Sequence, residues 1–270
     1  MDAENVRILS KDGLELEVKI WEANAPKAAI CIIHDLGDHG GSYEKMSTYF
    51  NDREISVFVL DLRGHGLSQG RKGHAPNLDS LLSDIEELLK TTRAHHTELP
   101  IFLLGLGLGA NLVLNYLEKM NNNEIHGFIM INPWRKFGEQ SSLLWKLFGQ
   151  IGYLLFPRWL VSQGQESHTL KENGGFTDPL RHRKVSLGLT RIIHESLKSI
   201  HSSNLSLNKP GVIVEETDNQ GGIMQSTLAA VNRIAYKSGP FGMTNQANWD
   251  NVPPQIEELS AWIKQQISQN

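Results

Sequence analysis

A glycine-rich turn between an apolar run and a helical pattern bears most directly on chemistry in this sequence. The turn reads Gly105-Leu106-Gly107-Leu108-Gly109 and follows Phe102-Leu103-Leu104. In the pattern G-x-S-x-G, the glycines let the chain turn sharply, and a strained central serine projects its hydroxyl as a nucleophile. Gly107 stands at the central position and has no side chain to project. The sequence therefore predicts the turn without its nucleophile.

Two further groups of reactive side chains lie in predicted loops. His34, Asp35, Asp38 and His39 fall within six residues and include types that bind metal ions. A second loop carries both a histidine and a hydroxyl group, at His65 and Ser68. Such residues can hold a metal or act on a substrate, and they can also shape turns through hydrogen bonds.

Other nucleophilic or titratable residues have simpler structural explanations. Cys31 lies inside a predicted buried strand, where we expect inert core. His95 and His96 come at a helix end, where their partial charge favours the helix dipole. Serines expected to be ordinary loop or insertion-edge residues, unless a base lies beside them, are Ser141, Ser142 and Ser162.

The elements that must position these residues follow from the hydrophobic pattern. Apolar runs rich in β-branched residues alternate with helical patterns, which is typical of a parallel sheet covered on both faces. The predicted strands are Leu14–Ile20, Ala28–Ile33, Ser56–Leu60, Ile101–Leu104, Gly127–Ile131, Gly211–Glu215 and Val231–Ala235. The predicted helices are Gly41–Asn51, Leu78–Arg93, Gly109–Met120, Arg183–His201 and Pro254–Ile267. The predicted fold class is α/β.

Length and composition narrow the class of protein further. With 270 residues, 40% of them apolar and 21% charged, the chain is expected to form one globular domain over 1–270. A net charge of −4 argues against nucleic acid as a partner. No apolar run is long enough to span a bilayer, and the acidic start does not resemble a secretory signal. The single cysteine suits a reducing compartment, so we expect a cytoplasmic location.

An insertion is predicted at about 133–209, where the alternation of strands and helices lapses. Within it, 142–161 is rich in leucine and aromatic residues but interrupted by Lys146, Gln150, Pro157 and Arg158. This segment is too short and broken to span a membrane. It is expected to form a cap packed on the body of the fold, and the alternative is peripheral contact with a lipid surface.

Four motifs in a fixed order carry a family resemblance. They are Lys11-Asp12-Gly13-Leu14, the run from His34 to Tyr43, the run from Asp61 to Gly70, and Asp178-Pro179-Leu180. The second resembles H-G-x-G-E-H-x-x-R-Y, and the third matches D-x-R-G-H-G-x-S-x-G. Together they resemble the monoacylglycerol lipase and lysophospholipase branch of the α/β hydrolases, also described as serine aminopeptidase S33-like. The resemblance implies a mostly parallel central sheet flanked by helices, with an inserted helical cap.

The same resemblance assigns positions to a catalytic triad in the order Ser, Asp, His. The serine position corresponds to Gly107, and the acid position to Asp218, just beyond a predicted strand. The histidine position falls within Ser238–Met243 and is placed at Gly242. Because the last histidine of the chain is His201, the base is absent as well as the nucleophile.

The loop that would stabilise an oxyanion also departs from the family. The resemblance makes the backbone N–H groups of Leu36 and Leu108 the donors to the negative oxygen. Where the family has H-G, this chain has His34-Asp35, and a carboxylate directed toward the donors would oppose the oxyanion charge. Because the family holds His, Glu and His at three of the four clustered positions without a metal, no metal site is expected. The glycine-rich turn and the His-Asp loop are also similar to those of the N-myc-downstream-regulated pseudohydrolases.

The expected function is therefore binding rather than catalysis. The candidates are an apolar small molecule or lipid in the pocket under the cap, a protein partner, or a membrane surface contacted through 142–161, with no cofactor. The alternative is an active hydrolase of lipid monoesters that uses an unrecognised nucleophile. A third interpretation is an engineered or decayed variant, although none of the changes is the alanine usual in mutagenesis.

Overall fold

A computed structural model of the chain gives its fold. The described residues are 3–120, 124–134, 155–162, 178–182, 184–202, 209–216, 231–236 and 252–269. Asp218, Gly242, Ser141 and Ser142 lie outside these ranges, as does most of the predicted cap. The predicted boundaries of the cap at 133–209 therefore stay a prediction.

An eight-stranded, mostly parallel sheet forms the centre of the described structure. Its strands are β1 (Glu4–Leu9), β2 (Glu15–Trp21), β3 (Ala28–Ile33), β4 (Ile55–Leu60), β5 (Ile101–Leu106), β6 (Gly127–Ile131), β9 (Gly211–Glu216) and β10 (Asn232–Tyr236). Two short strands, β7 (Leu160–Ser162) and β8 (Lys184–Ser186), pair separately as an antiparallel ribbon. The spatial order is β1-β2-β4-β3-β5-β6-β9-β10, and only β1–β2 and β2–β4 pair antiparallel.

Five α-helices flank the sheet in the described part of the chain. They are α1 (Glu44–Asn51), α2 (Leu78–His95), α3 (Leu108–Lys119), α4 (Leu187–Ser202) and α5 (Pro254–Ser268). A short 3₁₀ helix at Gly40–Tyr43 leads into α1. No described helix has the length and apolar character needed to cross a bilayer.

Both faces of the sheet are buried, which explains why its central strands are apolar throughout. One core contains apolar side chains of α2, α3 and α4, and the other contains those of α1 and α5. All six residues of β3 and all six of β5 are buried. The α/β class and the mostly parallel sheet with flanking helices are confirmed.

The carboxyl ends of β3, β5 and β6 bring the reactive loops together. Ile33 is in register with Gly105, and Leu106 with Ile131, so these parallel strands end side by side. Ligands of open α/β sheets bind at this edge, beyond the carboxyl ends of the strands. The loop at 34–39 and the turn at Gly107 meet there.

Two local features differ from the sequence prediction. Strand β1 was not predicted, because its side chains alternate between exposed and half-buried and it pairs only at the sheet edge. A helix was predicted from Arg183, but Lys184–Ser186 forms β8 before α4 begins at Leu187. The Ser186 hydroxyl accepts a hydrogen bond from the Leu189 amide, which caps the helix at this point.

Candidate functional site

The turn at Gly107 has the sharp strand-to-helix geometry that the glycine pattern predicts. Gly107 adopts φ 52° and ψ −115°, a conformation strained for residues with a side chain, and it forms the N-cap of α3. A Cβ on Gly109 would lie 2.1 Å from the carbonyl oxygen of Ile33. Glycine is therefore required at 109 for α3 to approach β3, and the turn is held with residue 107 at its tip.

The Asp35 carboxylate occupies the tip of this turn. Its Oδ1 accepts hydrogen bonds from the backbone amides of Leu36 and Leu108, both at 2.8 Å. A Cβ on Gly107 would lie 2.1 Å from the same Oδ1 and 2.5 Å from Oδ2. The carboxylate thus fills the space that a side chain at 107 would need. The structure brings together Gly107, Leu36, Leu108 and Asp35 of the predicted site.

Asp35 also performs a structural task for α3. The helix has no cap side chain of its own, because Gly107 is its N-cap residue. Asp35 supplies an acceptor to the first helical amide, and its negative charge meets the positive end of the helix dipole. The side chain is only 4% exposed, so the carboxylate needs these amides as hydrogen-bond partners.

His34 holds this loop in place rather than acting as a base. Its Nε2 accepts a hydrogen bond from the Leu62 amide at 3.0 Å, which leaves Nδ1–H to donate to the Asp35 carbonyl at 2.7 Å. Both ring nitrogens are therefore engaged in positioning. Burial lowers the pKa of His34, so the ring is neutral at ordinary pH.

The other acidic and basic residues of the loop bind a segment far away in the chain. The buried Asp38 carboxylate accepts hydrogen bonds from Ser42, Tyr43 and Arg181. His39 is hydrogen-bonded through Nε2 to Asp178 at 2.7 Å. In the described residues, no group of three or more histidine, cysteine, aspartate or glutamate side chains could hold a metal ion. The clustered residues of the loop thus serve to dock the 178–182 segment.

Arg181 is a site neighbour that the sequence analysis missed. Its Nε lies 3.1 Å from Asp38 Oδ1, and its guanidinium also donates to the Ser42 hydroxyl at 2.9 Å. The related motif has arginine where this chain has Ser42. The loss of that arginine next to the acidic Asp38 was the available signal that a cation must come from elsewhere.

Three buried histidine rings pack together, with His65 between His34 and His182. The His65 ring centroid is 5.3 Å from that of His34 and 4.6 Å from that of His182. The His182 amide donates to the Gly37 carbonyl at 3.0 Å, which ties the 178–182 segment to the same loop. Burial lowers the pKa of His65 and His182, and neighbouring histidines lower that of His65 further.

The loop from Asp61 to Gly70 is engaged in structural contacts. Asp61 accepts hydrogen bonds from the amides of Gly40 and Leu67. Ser68 donates its hydroxyl to the Asp61 carbonyl and accepts from the Glu17 amide. Arg63, which is 2% exposed, forms a two-pronged pair with Asp84. These contacts leave no catalytic task for Ser68 in this arrangement.

The comparisons with known proteins decide the family. Residues 24–220 match the sequence model of the family described as serine aminopeptidase, S33. This chain belongs to the serine aminopeptidase S33 family.

Relatives from several organisms have similar sequences. An uncharacterized abhydrolase domain-containing protein of Dictyostelium discoideum is 28% identical over 96% of this chain, which spans 29% of that longer protein. A monoglyceride lipase of Rattus norvegicus is 28% identical over 97% of this chain and 90% of its own length. Among solved structures, a soluble variant of monoglyceride lipase from Saccharomyces cerevisiae superposes with a TM-score of 0.81. It covers 98% of this chain and 96% of its own at 15% identity, so the likeness shows the fold alone.

Elsewhere in this S33-family chain, a serine and a histidine are hydrogen-bonded. His74 Nδ1 lies 2.7 Å from the Ser186 hydroxyl, close enough for a nucleophile and its base. Ser186 is fully buried, however, and its oxygen also caps α4. The pair therefore fits a helix cap better than an attacking group.

Cys31 is a further candidate nucleophile among the described residues of this S33-family chain, and it is inert. Cys31 is fully buried in β3, and its sulfur contacts the Thr92 hydroxyl at 3.1 Å. Burial raises the pKa of the Cys31 thiol to about 12, so it is not ionised at neutral pH. The expectation of inert core at this position agrees with the geometry.

Proposed function

We propose that this S33-family protein is a non-catalytic relative of the lipid-ester hydrolases, whose work is to bind an apolar small molecule or a partner. One observation carries the proposal. Residue 107 is a glycine, and the Asp35 carboxylate accepts hydrogen bonds from the amides of Leu36 and Leu108, the two groups that would stabilise an oxyanion. Acyl transfer requires a nucleophile, a base and donors to the oxyanion. At this turn the nucleophile is absent, and the two oxyanion donors are already hydrogen-bonded to Asp35.

The chain order supports the absence of a base as well. The resemblance places the histidine near Gly242, and no histidine follows His201. Loss of the triad costs on the order of a million-fold in turnover, because its members act as a unit. A typical rate of about 10 per second would then fall to roughly one turnover per day. Such a rate cannot serve an esterase.

The ligand class follows from the relatives rather than from a bound molecule. Several relatives are named monoglyceride lipases, and an S33-family fold that has lost its chemistry can keep the apolar binding site. The proposed ligand is therefore an amphiphile with a long apolar chain. The runner-up function is hydrolysis of a lipid monoester by a nucleophile outside the turn, for which Ser186 beside His74 is the described candidate.

Ester hydrolysis by the purified full chain separates these two functions. A medium-chain monoacylglycerol and an activated short-chain ester are supplied at high protein concentration, with Ser186→Ala as the matched variant. We expect no turnover above buffer from either protein. Sustained turnover of about one per second would overturn the proposal, and its loss in Ser186→Ala would identify the alternative nucleophile.

A second element of the proposal concerns an exposed apolar surface in the predicted cap. Leu155, Phe156 and Trp159 are 62%, 55% and 63% exposed. Together with Arg71 and Arg158 they line an open groove of about 580 Å³. Aromatic side chains beside cations suit the interface of an anionic lipid bilayer. We propose that this surface contacts such a membrane.

Vesicle co-sedimentation tests the membrane contact. The double variant Phe156→Ser/Trp159→Ser is expected to lower the affinity for vesicles containing phosphatidylserine by about tenfold or more, because it removes two exposed rings that would insert into the bilayer. Leu9→Ser is the matched control, since Leu9 is 65% exposed but lies on the edge strand β1. Equal binding by all three proteins, or no binding by the unmodified chain, would contradict the contact.

A further inference from the structure

The amides of Leu36 and Leu108 already hold an anion that belongs to the chain itself. Both N–H groups converge on Asp35 Oδ1 at 2.8 Å. A backbone amide has a single hydrogen, so an incoming carbonyl or carboxylate oxygen can reach these donors only if Asp35 leaves. An acyl group at this site must therefore compete with a carboxylate that is covalently tethered next to the donors.

Asp35 and Gly107 form one unit. A Cβ at 107 would lie 2.2 Å from the Asp35 carboxyl carbon, a distance at which both cannot exist. The glycine thus creates the space that the carboxylate fills. A hydrolase would present two hydrogen-bond donors and a nucleophile at this turn. This chain presents a carboxylate there, which is a hydrogen-bond acceptor.

The groups around Asp35 include the amino end of a helix, a neutral imidazole and a second carboxylate that has its own partners. The amino end of α3 points at it with positive partial charge. His34 is neutral, and its Nδ1 donates to the Asp35 carbonyl rather than to the carboxylate. The nearby Asp38 is paired with Arg181 and with the Tyr43 hydroxyl. Burial is the main cause of the raised pKa of Tyr43, and the charges of Asp38 and Asp35 contribute to it.

We propose that Asp35 is a specificity-determining residue, a built-in anion that makes this site reject esters and carboxylates and accept apolar chains ending in a hydrogen-bond donor. The donor is a hydroxyl or an ammonium group. The inference rests on the proposed binding function and names the ligand class of the same site. A ligand carboxylate cannot bond the two amides, because Asp35 already does, and the negative charge of Asp35 repels it. A hydroxyl or ammonium group can instead donate a hydrogen bond to the Asp35 carboxylate.

Three probes with the same ten-carbon chain and different head groups test this ligand preference directly. Calorimetric binding of decanoate, 1-decanol and decylamine is compared for the full-length chain, Asp35→Asn and Asp35→Gly, below the micelle concentration of each probe. The unmodified protein is expected to bind decylamine and decanol at least about tenfold more tightly than decanoate. Asp35→Gly frees both amides and is expected to gain decanoate affinity by about tenfold or more. Asp35→Asn keeps an oxygen for the amides but removes the charge, so the preference for decylamine falls without a gain for decanoate.

The outcomes separate this inference from the binding function. If the unmodified chain binds none of the probes but Asp35→Gly captures decanoate, the site holds an apolar chain as the proposed function requires, and the inferred acceptance of donor-terminated chains is overturned. Preference of the unmodified chain for decanoate, or a folded Asp35→Gly that gains nothing, overturns the inference. If Asp35→Gly fails to fold, the NMR chemical shifts of the Leu36 and Leu108 amide protons test the inference instead. They should move upfield in Asp35→Asn, where a charged acceptor is lost, and unchanged shifts overturn the inference.

Discussion

At the tip of the strand-to-helix turn, a carboxylate and a missing side chain depend on each other. Asp35 can bond the amides of Leu36 and Leu108 because residue 107 has no Cβ. Either residue changed alone leaves a local defect. A serine at 107 would clash with the Asp35 carboxylate, and a glycine at 35 would leave two buried amides without an acceptor. The pair should therefore behave as a coupled unit in measurements of stability and activity.

Gly107→Ser is predicted to destabilise the protein without creating an esterase. The serine would adopt φ near 52°, and its Cβ would push Asp35 off two charge-assisted hydrogen bonds. A loss of about 3 kcal/mol in the free energy of unfolding is expected. Urea unfolding followed by circular dichroism gives this number, and ester hydrolysis should stay at background.

The double variant Gly107→Ser/Asp35→Gly is the control for this coupling. Removing the carboxylate makes room for the serine, so the two changes should be non-additive by at least about 1 kcal/mol. Additive effects would show that the side chains do not compete for one space. Appreciable ester turnover by Gly107→Ser alone would contradict the absence of a base.

At the scale of elements, Arg63 connects the loop after β4 to α2 and to the turn between β1 and β2. Its guanidinium binds both oxygens of the buried Asp84 at 2.6 and 2.7 Å and reaches Asp12 at 2.7 Å. The hydrogen bond from Arg63 contributes most to lowering the pKa of Asp12 to about 2. This ion pair fixes the position of the Asp61–Gly70 loop, which in turn bonds the Gly40 amide through Asp61.

Arg63→Ala is predicted to cost about 3–5 kcal/mol of stability, because it leaves the Asp84 carboxylate buried without its cation. Arg7→Ala is the matched control: the Arg7–Glu15 pair is exposed, with side chains 67% and 41% accessible. Loss of such a pair changes stability by less than about 1 kcal/mol. Chemical unfolding of both variants measures the difference, and similar losses would refute a supporting role for Arg63.

For the whole molecule, the buried histidines make stability depend on pH. Burial is the main cause of the lowered pKa of His34, His65 and His182. Because these groups ionise near pH 6.5 when unfolded, the unfolded chain binds more protons below that pH. The stabilisation is therefore present above about pH 6.5 and is lost as the pH falls toward the lower folded values.

Between about pH 7.5 and 5.5, the free energy of unfolding is predicted to fall by about 2–4 kcal/mol. Each histidine that stays neutral in the folded state contributes at most about 1.4 kcal/mol over that interval. Urea titrations at the two pH values measure the change, and His65→Asn should reduce it. Stability that is constant or rises on acidification would contradict buried, neutral rings.

The sequence predicted the elements better than it predicted the contacts at the site. The bounds of Ala28–Ile33 and Gly127–Ile131 agree with the structure because strands buried on both faces are apolar at every position. The direction of the Asp35 side chain depends on an amide 73 residues away, and the Asp38–Arg181 pair joins residues 143 apart. Local patterns carry no signal for such distant contacts.

The measurement that tests the central claim most directly is the intact mass of the full chain after prolonged treatment with a fluorophosphonate. The reagent labels a serine hydroxyl that is activated as a nucleophile, wherever it lies in the chain. With glycine at 107 and Asp35 on both amides, the protein is predicted to keep its unmodified mass. A stoichiometric adduct that heat denaturation abolishes would contradict a non-catalytic function, and peptide mapping would then identify the nucleophile.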